Sequence, residues 1–316
     1  PVSWLLGGPL INDVDDMILD HVLIAVRDLD ETRDFYSALG FQVTPEGLHP
    51  GRGTSNRLVV FGPDYLELIS VREPGVKLFR PNLAPFLKKR EGLFLFAIGT
   101  TGLQAHVKDL QAKGVSISNP IAGRRQADDG STAYSWTQAE IDPKDTPGCQ
   151  TFLIQHNHPF DERYTEPRDP ADHPNGVIGI HSLTLGTVNA QESADVWKDL
   201  FGLQQTYDCP NGMVRLKFAN CYLEFIDDKY DEGVVAPYHG KDHNSGPLYI
   251  TYRVRSLDDC HSFFSLRGVP SKTEIGSEGT SISIPPEYAS GVKTVSYTHL
   301  RAHETDSYLV CRLLLE

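Results

Sequence analysis

The sequence has no run of about 20 apolar residues, the length a membrane-spanning helix needs. It has no cluster of lysine and arginine, and acidic residues outnumber basic ones 42 to 29, for a net charge of −13. That balance argues against nucleic acid and anionic membrane surfaces as partners. Neither Gly-x-x-x-x-Gly-Lys-Ser/Thr nor Gly-x-Gly-x-x-Gly after a strand pattern occurs, so no phosphate-cradling loop is expected. The five cysteines, Cys149, Cys209, Cys221, Cys260 and Cys311, are scattered and form no Cys-x-x-Cys. An odd, dispersed set points to reduced thiols and a cytoplasmic setting rather than a disulfide framework. Methionine is scarce too. The first is Met17, and the residues before it lack the basic-then-apolar layout of a secretory signal.

What is present is one pattern written twice. Asp20-His21-Val22-Leu23-Ile24-Ala25-Val26 is followed by a short helical stretch and then by Tyr65-Leu66-Glu67-Leu68. Ile180-His181-Ser182-Leu183-Thr184-Leu185 is followed by another such stretch and by Tyr222-Leu223-Glu224-Phe225. A histidine on one strand and a glutamate on a later one recur 46 and 43 residues apart. Internal repeats dictate architecture, so this one sets the frame.

Four units of the order β-α-β-β-β follow from the periodicities. The first has a strand over 19–27, a helix from about Glu31 to Leu39 with Asp28 and Glu31 as its capping residues, and β-type runs at 41–43, 57–61 and 65–69. The second has a strand at 94–98, a helix from Leu103 to Gly114, and strands at 116–118, 133–136 and 151–155. The third centres on the helix Glu192 to Gly202, and the fourth on Leu257 to Gly268, with a last strand near 292–294. Residues 158–177, rich in proline and charge, read as a linker. Residues 1–16 read as a non-native or disordered leader, and 295–316 as a tail derived from adapter sequence.

Such a series resembles the vicinal oxygen chelate superfamily, in its glyoxalase-like branch. The resemblance runs over about residues 17–294 and is carried by the module order, by Leu48 to Leu58, and by Tyr65-Leu66-Glu67-Leu68. It implies an α+β fold of four βαβββ modules in two glyoxalase/dihydroxybiphenyl dioxygenase-like domains: residues 17–157, and residues 178–294 with a last strand cut or replaced by the tail. It also implies metal ligands on the first and last strands of each module. His21 and Glu67 would then share a divalent ion (Zn, Ni, Co, Fe or Mn) in the first cup. Gln155 or His156 would be a third ligand, and His181 with Glu224 the counterparts in the second cup. Tyr249 stands where four-module ring-cleaving dioxygenases place a histidine, which favours lyase or isomerase chemistry over ring cleavage.

Read without the resemblance, the loop 47–57 is the most substrate-like segment. Gly47, Gly51 and Gly53 permit close backbone approach, and His49, Arg52, Asn56 and Arg57 offer donors for a carboxylate, phosphate or enolate oxygen. His158 and His173, in the linker, read as solvated. Trp4, Trp136 and Trp197 read as core or tail residues.

The functional expectation is a metal-dependent lyase or isomerase that chelates two oxygens of a small oxygen-rich molecule. The metal would stabilise an enediolate-like intermediate, and Glu67 would shuttle the proton. The alternatives are a metal-free protein that binds an aromatic or antibiotic-like molecule, and an extradiol-type dioxygenase. A small-molecule substrate is the expected partner, with a homodimer as one arrangement of copies.

Overall fold

The computed structural model describes residues 17–72, 75–127, 129–163, 172–206, 212–227, 246–276, 279–284, 292–298 and 309–315. The leader 1–16, with Trp4, lies outside them, as do Cys209 and residues 299–308. The fold is mixed α/β. No helix among the described residues is long and apolar enough to cross a membrane.

The first half runs β1 (Ile18–Ala25), α1 (Leu29–Ala38), β2 (Gly47–His49), β3 (Thr54–Val60), β4 (Tyr65–Val71), α2 (Leu83–Lys89), β5 (Gly92–Gly99), α3 (Leu103–Ala112), β6 (Ile121–Gln126), β7 (Thr132–Glu140) and β8 (Thr151–His156). Its eight strands close into a barrel in the order β1-β4-β3-β2-β6-β7-β8-β5. Closure removes the exposed edges that an open sheet presents.

Local chemistry explains where the elements start. Asp28 caps α1 by accepting hydrogen bonds from the N–H groups of Asp30 and Glu31 at 2.9 Å each. The helix then buries Leu29, Thr32 and Tyr36. The strand expected at 41–43 is absent. That stretch has no regular pairing, and β2 begins at Gly47, where it meets β3 and, through Leu48, β6. The run 116–118 forms only an isolated bridge, between Ile117 and Ile141. The paired strand β6 lies further on and carries Arg124 and Arg125. Helix α2 was not foreseen, and neither was α4 (Phe160–Arg163) at the start of the expected linker.

The second half runs β9 (Val177–Thr187), α5 (Ala190–Phe201), β10 (Gln204–Thr206), β11 (Val214–Lys217), β12 (Tyr222–Asp227), β13 (Gly246–Val254), α6 (Leu257–Leu266), β14 (Lys272–Gly276), β15 (Gly279–Ile284), β16 (Val292–Thr298) and β17 (Leu309–Leu315). These strands form one sheet in the order β10-β11-β12-β9-β13-β17-β16-β15-β14. Here the halves differ. In the barrel, β5 pairs directly with β8, in parallel. In the second sheet, β13 pairs in parallel with β16 at only two positions, and β17 takes most of that edge, antiparallel.

The halves are joined by hydrogen bonds from buried polar groups. Leu19 N–H donates to the Asn220 side-chain oxygen at 3.0 Å, and the Asn220 amide returns a bond to Leu19 C=O at 2.9 Å. Asp64, in the turn between β3 and β4, accepts from Ile180 N–H at 2.8 Å. His173 is not solvated. It is 1% exposed, with Nδ1 accepting from Gln42 N–H at 2.9 Å and Nε2 donating to Val60 C=O at 2.8 Å. This pairing fixes its Nε2–H tautomer and clasps the linker onto the barrel. Trp197 is fully buried and stacks on Phe96 of β5, with ring centroids 5.4 Å apart.

Candidate active site

The barrel encloses a cavity of about 520 Å3, mouth included. His21 and Leu23 of β1 face it, as do Tyr65, Glu67 and Ile69 of β4; the alternation of strand side chains sets both groups. The parallel register places His21 opposite Tyr65 and Leu23 opposite Glu67. His21 Nε2 lies 3.4 Å from Glu67 Oε2. The imidazole stacks on Tyr65, at 4.5 Å between centroids and 14° between planes, and Phe152 meets it edge-on at 5.7 Å.

A bulge builds the support behind His21. Along β1 the pairing with β5 passes from Leu19↔Ile98 to His21↔Ala97, so Asp20 is the extra residue. A bulge re-aims side chains that strict alternation would send to opposite faces. Asp20, 2% exposed, reaches His21 Nδ1 at 2.6 Å. Its carboxylate also accepts from His156 Nε2, at 3.0 Å to Oδ2. Gly99 leaves the room: a Cβ there would stand 3.1 Å from Asp20 Oδ2 and 2.8 Å from the Ile18 side chain.

On the other side of Glu67 the network continues through the substrate-like loop. The Asn56 amide donates to Glu67 Oε1 at 2.8 Å and to His49 Nε2 at 3.0 Å. His49 Nδ1 then donates to Thr54 Oγ1 at 2.9 Å, so His49 is neutral, with its proton on Nδ1. Asn56 is itself oriented by Arg125 Nε, which donates to its Oδ1 at 2.9 Å. Arg125 is 8% exposed and also donates to Pro45 C=O at 2.7 Å.

The upper wall carries two guanidinium groups. Arg52 lies over Phe79 at 4.1 Å, and Arg80 lies over Phe152 at 4.2 Å. Trp136, read from the sequence as a core residue, is buried in the core and also lines the cavity, beside Arg52.

The remaining sequence candidates point elsewhere. Arg57 runs along the outside, to Asp30 at 2.7 Å and Thr44 C=O at 3.3 Å. Gln155 faces outward and accepts from Leu103 N–H at the start of α3. The β8 positions that do face the cavity hold Phe152 and Ile154. His156 is bound to Asp20, behind His21 rather than beside Glu67.

Electrostatics follow from these contacts. Burial opposes charge on Glu67, but the hydrogen bond with His21 and the neighbouring His49 and Asn56 hold its pKa down at about 2. Burial also opposes charge on His21, yet its bonds to Asp20 and Glu67 win, and its pKa is raised. His21 therefore holds a proton between two carboxylates. His49 goes the other way: burial, with the Arg125, Arg52 and Arg80 charges, lowers it to about 4 against the pull of Glu67.

The donors present do not make a complete metal set. His21 and Glu67 have a suitable bite, and Asp20 behind His21 is the outer partner that metal-bound imidazoles use. Among the described residues no third ligand joins them, because apolar Phe152 and Ile154 fill the opposing strand and the His49 lone pair is engaged by Asn56. Among the described residues no group of three or more His, Cys, Asp or Glu side chains has metal-holding geometry. Catalytic sites for zinc, by comparison, use three protein ligands.

The second half does not repeat the pair. Ser182, not His181, lies opposite Tyr222, and Thr184 lies opposite Glu224. Its pairing with β13 passes from Ser182↔Thr251 to Ile180↔Tyr252, so His181 is the bulged residue. His181 therefore matches Asp20, and Ser182 matches His21. Glu224 is enclosed: Oε2 accepts from Ser182 at 3.0 Å and Thr184 at 2.6 Å, and Oε1 from Arg215 Nη2 at 2.7 Å.

Comparison with known proteins agrees with this architecture. The sequence pattern of a glyoxalase-like domain matches residues 19–201, more than half of the chain. The chain belongs to the glyoxalase-like domain family of the vicinal oxygen chelate superfamily. Among solved structures, a hypothetical protein from Staphylococcus aureus is similar at 16% identity over 67% of this chain and 86% of that one, with a TM-score of 0.54. Methylmalonyl-CoA epimerase from Streptomyces coelicolor matches at 26% identity over 44% and 97% of the two chains, with a TM-score of 0.36. The Mycobacterium tuberculosis epimerase matches at 26% over 48% and 93%, with a TM-score of 0.34. No curated protein matches the chain.

This glyoxalase-like cavity has a pH signature. The folded pKa of His49, about 4, lies below its unfolded value of about 6.5. Its contribution to stability is therefore present above pH 6.5 and lost as pH falls toward 4. Asp64 acts oppositely. Burial raises its pKa to about 6, so stability is gained as pH falls from 6 toward 3.8, and the two nearly cancel. His49→Gln removes only the first effect. From pH 7 to 4, wild type should lose about 2–3 kcal/mol relative to this variant. Urea unfolding at both pH values measures the difference, and parallel pH profiles would contradict the neutral, buried assignment of His49.

Proposed function

We propose that the barrel cavity binds a small organic anion and moves a proton on it, an isomerase- or lyase-type reaction. The supporting observation is the placing of two guanidinium groups, Arg52 and Arg80, on the wall of the cavity that holds the buried His21–Glu67 pair. In this reading the chain is two fused pairs of βαβββ modules: the first pair is active, and the second is a structural partner whose Glu224 is tied to Arg215.

The residues divide the work by chemistry. Arg52 and Arg80 hold an anionic oxygen of the ligand, and Asn56 holds Glu67 in place. At rest Glu67 is a weak base, because the His21 imidazolium holds its pKa low. A ligand oxygen that takes the Nε2–H of His21 frees Glu67 from that contact. The carboxylate is then left in a cavity walled by Tyr65, Phe79, Tyr134, Trp136 and Phe152, where desolvation raises its proton affinity. Glu67 accepts a proton from the carbon next to the anionic group. Charge develops on the oxygen facing His21, and the proton returns to give the product.

The aromatic lining supports a second reading, a binding protein without turnover. One experiment separates the two. Small 2-hydroxy carboxylates, which carry a hydrogen on the carbon beside the carboxylate, are incubated with the protein in D2O and followed by NMR. Deuterium at the carbon beside the carboxylate, lost in Glu67→Gln while binding persists, is the expected result. Binding with no exchange for any of them would leave only the binder. Arg52→Ala should weaken binding of the same anions by about one to two decades, since a charge-assisted hydrogen bond contributes roughly 1.5–3 kcal/mol. Elemental analysis tests the metal question: stoichiometric Zn, Ni, Co, Fe or Mn, removed by His21→Ala, would restore a metal-based mechanism.

A further inference from the structure

Strand β7 presents Trp136, Gln138 and Glu140 at alternate positions on one face, and this face ties both cavity guanidinium groups together. Gln138 Oε1 accepts from Arg52 Nη1 at 2.7 Å and from Trp136 Nε1 at 2.6 Å. The Gln138 amide donates to Glu140 Oε1 at 2.5 Å, and Glu140 Oε2 accepts from Arg80 Nη1 at 2.6 Å. Gln138 is 1% exposed and Arg80 is 8% exposed, so the middle of the chain is shielded from water, while Arg52 and Glu140 are half-buried. Glu140 itself lies outside the cavity, in a neighbouring groove that shares Phe79 and Arg80 with it.

We propose that Glu140 makes the cavity selective for singly charged anions. Inside the cavity, the charges of His21 and Glu67 cancel. Arg52 and Arg80 are the cations of the wall, and Glu140 neutralises one of them through a direct ion pair. On that wall a ligand therefore meets one uncompensated positive charge. A second carboxylate on the ligand has no free cation to meet and must approach a chain that already contains the Glu140 carboxylate. The ion pair also fixes the plane of the Arg80 guanidinium against Phe152, so Glu140 acts on the ligand through Arg80 and is a positioning residue. Glutamine at 140 keeps an oxygen for Arg80 and loses the charge, together with the acceptor that the Gln138 amide uses.

The proposal rests on the cavity being an anion site, and the test separates the two ideas. Lactate, with one charge, and malonate, with two, are titrated by calorimetry at low salt into wild type and Glu140→Gln. Wild type should prefer lactate by about tenfold, the effect of one poorly screened charge several ångströms away. In Glu140→Gln the malonate affinity should rise about tenfold, with lactate changed by less than about threefold. Equal changes for both anions would show a merely structural role and overturn the proposal. So would a wild-type preference for malonate, a result that needs no variant to fold. Binding of neither anion by wild type would overturn the anion site as well.

Discussion

Replacing Asp20 with alanine should destabilise the protein by about 3–5 kcal/mol, the cost of removing one member of a buried ion pair. Asp20 is the charge that His21 and His156 both face, and its 2% exposure leaves no water to take its place. Burial alone would raise its pKa, yet bonds and charge from His156 and His21 drive it far below the usual carboxylate range, so it is ionised throughout the folded pH range. Without it the His21 imidazolium keeps only Glu67, at 3.4 Å, and its pKa should fall. His21→Ala should cost less, because it leaves Asp20 paired with His156. Chemical denaturation gives the order of the two variants, and histidine NMR gives the titration of His21. A smaller loss in Asp20→Ala than in His21→Ala would mean that the bulge does not hold the pair together.

The fold class and one half of the site could be read from the sequence because both rest on short-range pattern. His21 and Glu67 each sit in a strand run clear enough to locate, and Asp28 announces the start of α1. Pattern failed where a single residue shifts the register. Ile180-His181 looks like Asp20-His21, but the bulge in β9 falls on His181, so the match is with Asp20. No periodicity reveals that, because a bulge arises from pairing with a distant strand, here β13. Arg80 and Arg125 were missed for a related reason. Arg80 precedes an unforeseen helix, and Arg125 lies on a strand that begins later than the nearest β-type run. Gln155 reads as the counterpart of Glu67 on the last strand of the second module, and Arg57 as one of the donors of the loop 47–57, but strand alternation turns both outward. Trp136 reads as core because it is apolar and flanked by strand formers; only barrel closure shows that its face borders a cavity.

Glycine at position 47 is as important to the site as any of its polar residues, and Gly47→Ala tests this. A Cβ on Gly47 would stand 2.1 Å from Arg125 Nε and 2.2 Å from its Cζ, inside any tolerable contact. The backbone there belongs to β2, paired on one side with Asn56 of β3, so it cannot retreat without breaking the barrel. The guanidinium must leave instead. Its departure removes the bonds to Asn56 Oδ1 and Pro45 C=O. Asn56 then loses the contact that fixes which of its atoms faces Glu67. A flipped Asn56 would aim an oxygen at a carboxylate and at the His49 lone pair, so the damage should spread from Arg125 to Glu67. The expected loss is about 3–5 kcal/mol in stability, as for other buried charges stripped of partners. Anion binding should fall as well, although residue 47 touches no ligand. Arg125→Met, which removes the buried charge and frees the space, should make the added methyl at 47 nearly harmless. Thermal and urea unfolding of the two single variants and the double variant measure that coupling. Additive losses would mean that Gly47 and Arg125 act independently and that the close approach does not organise the site.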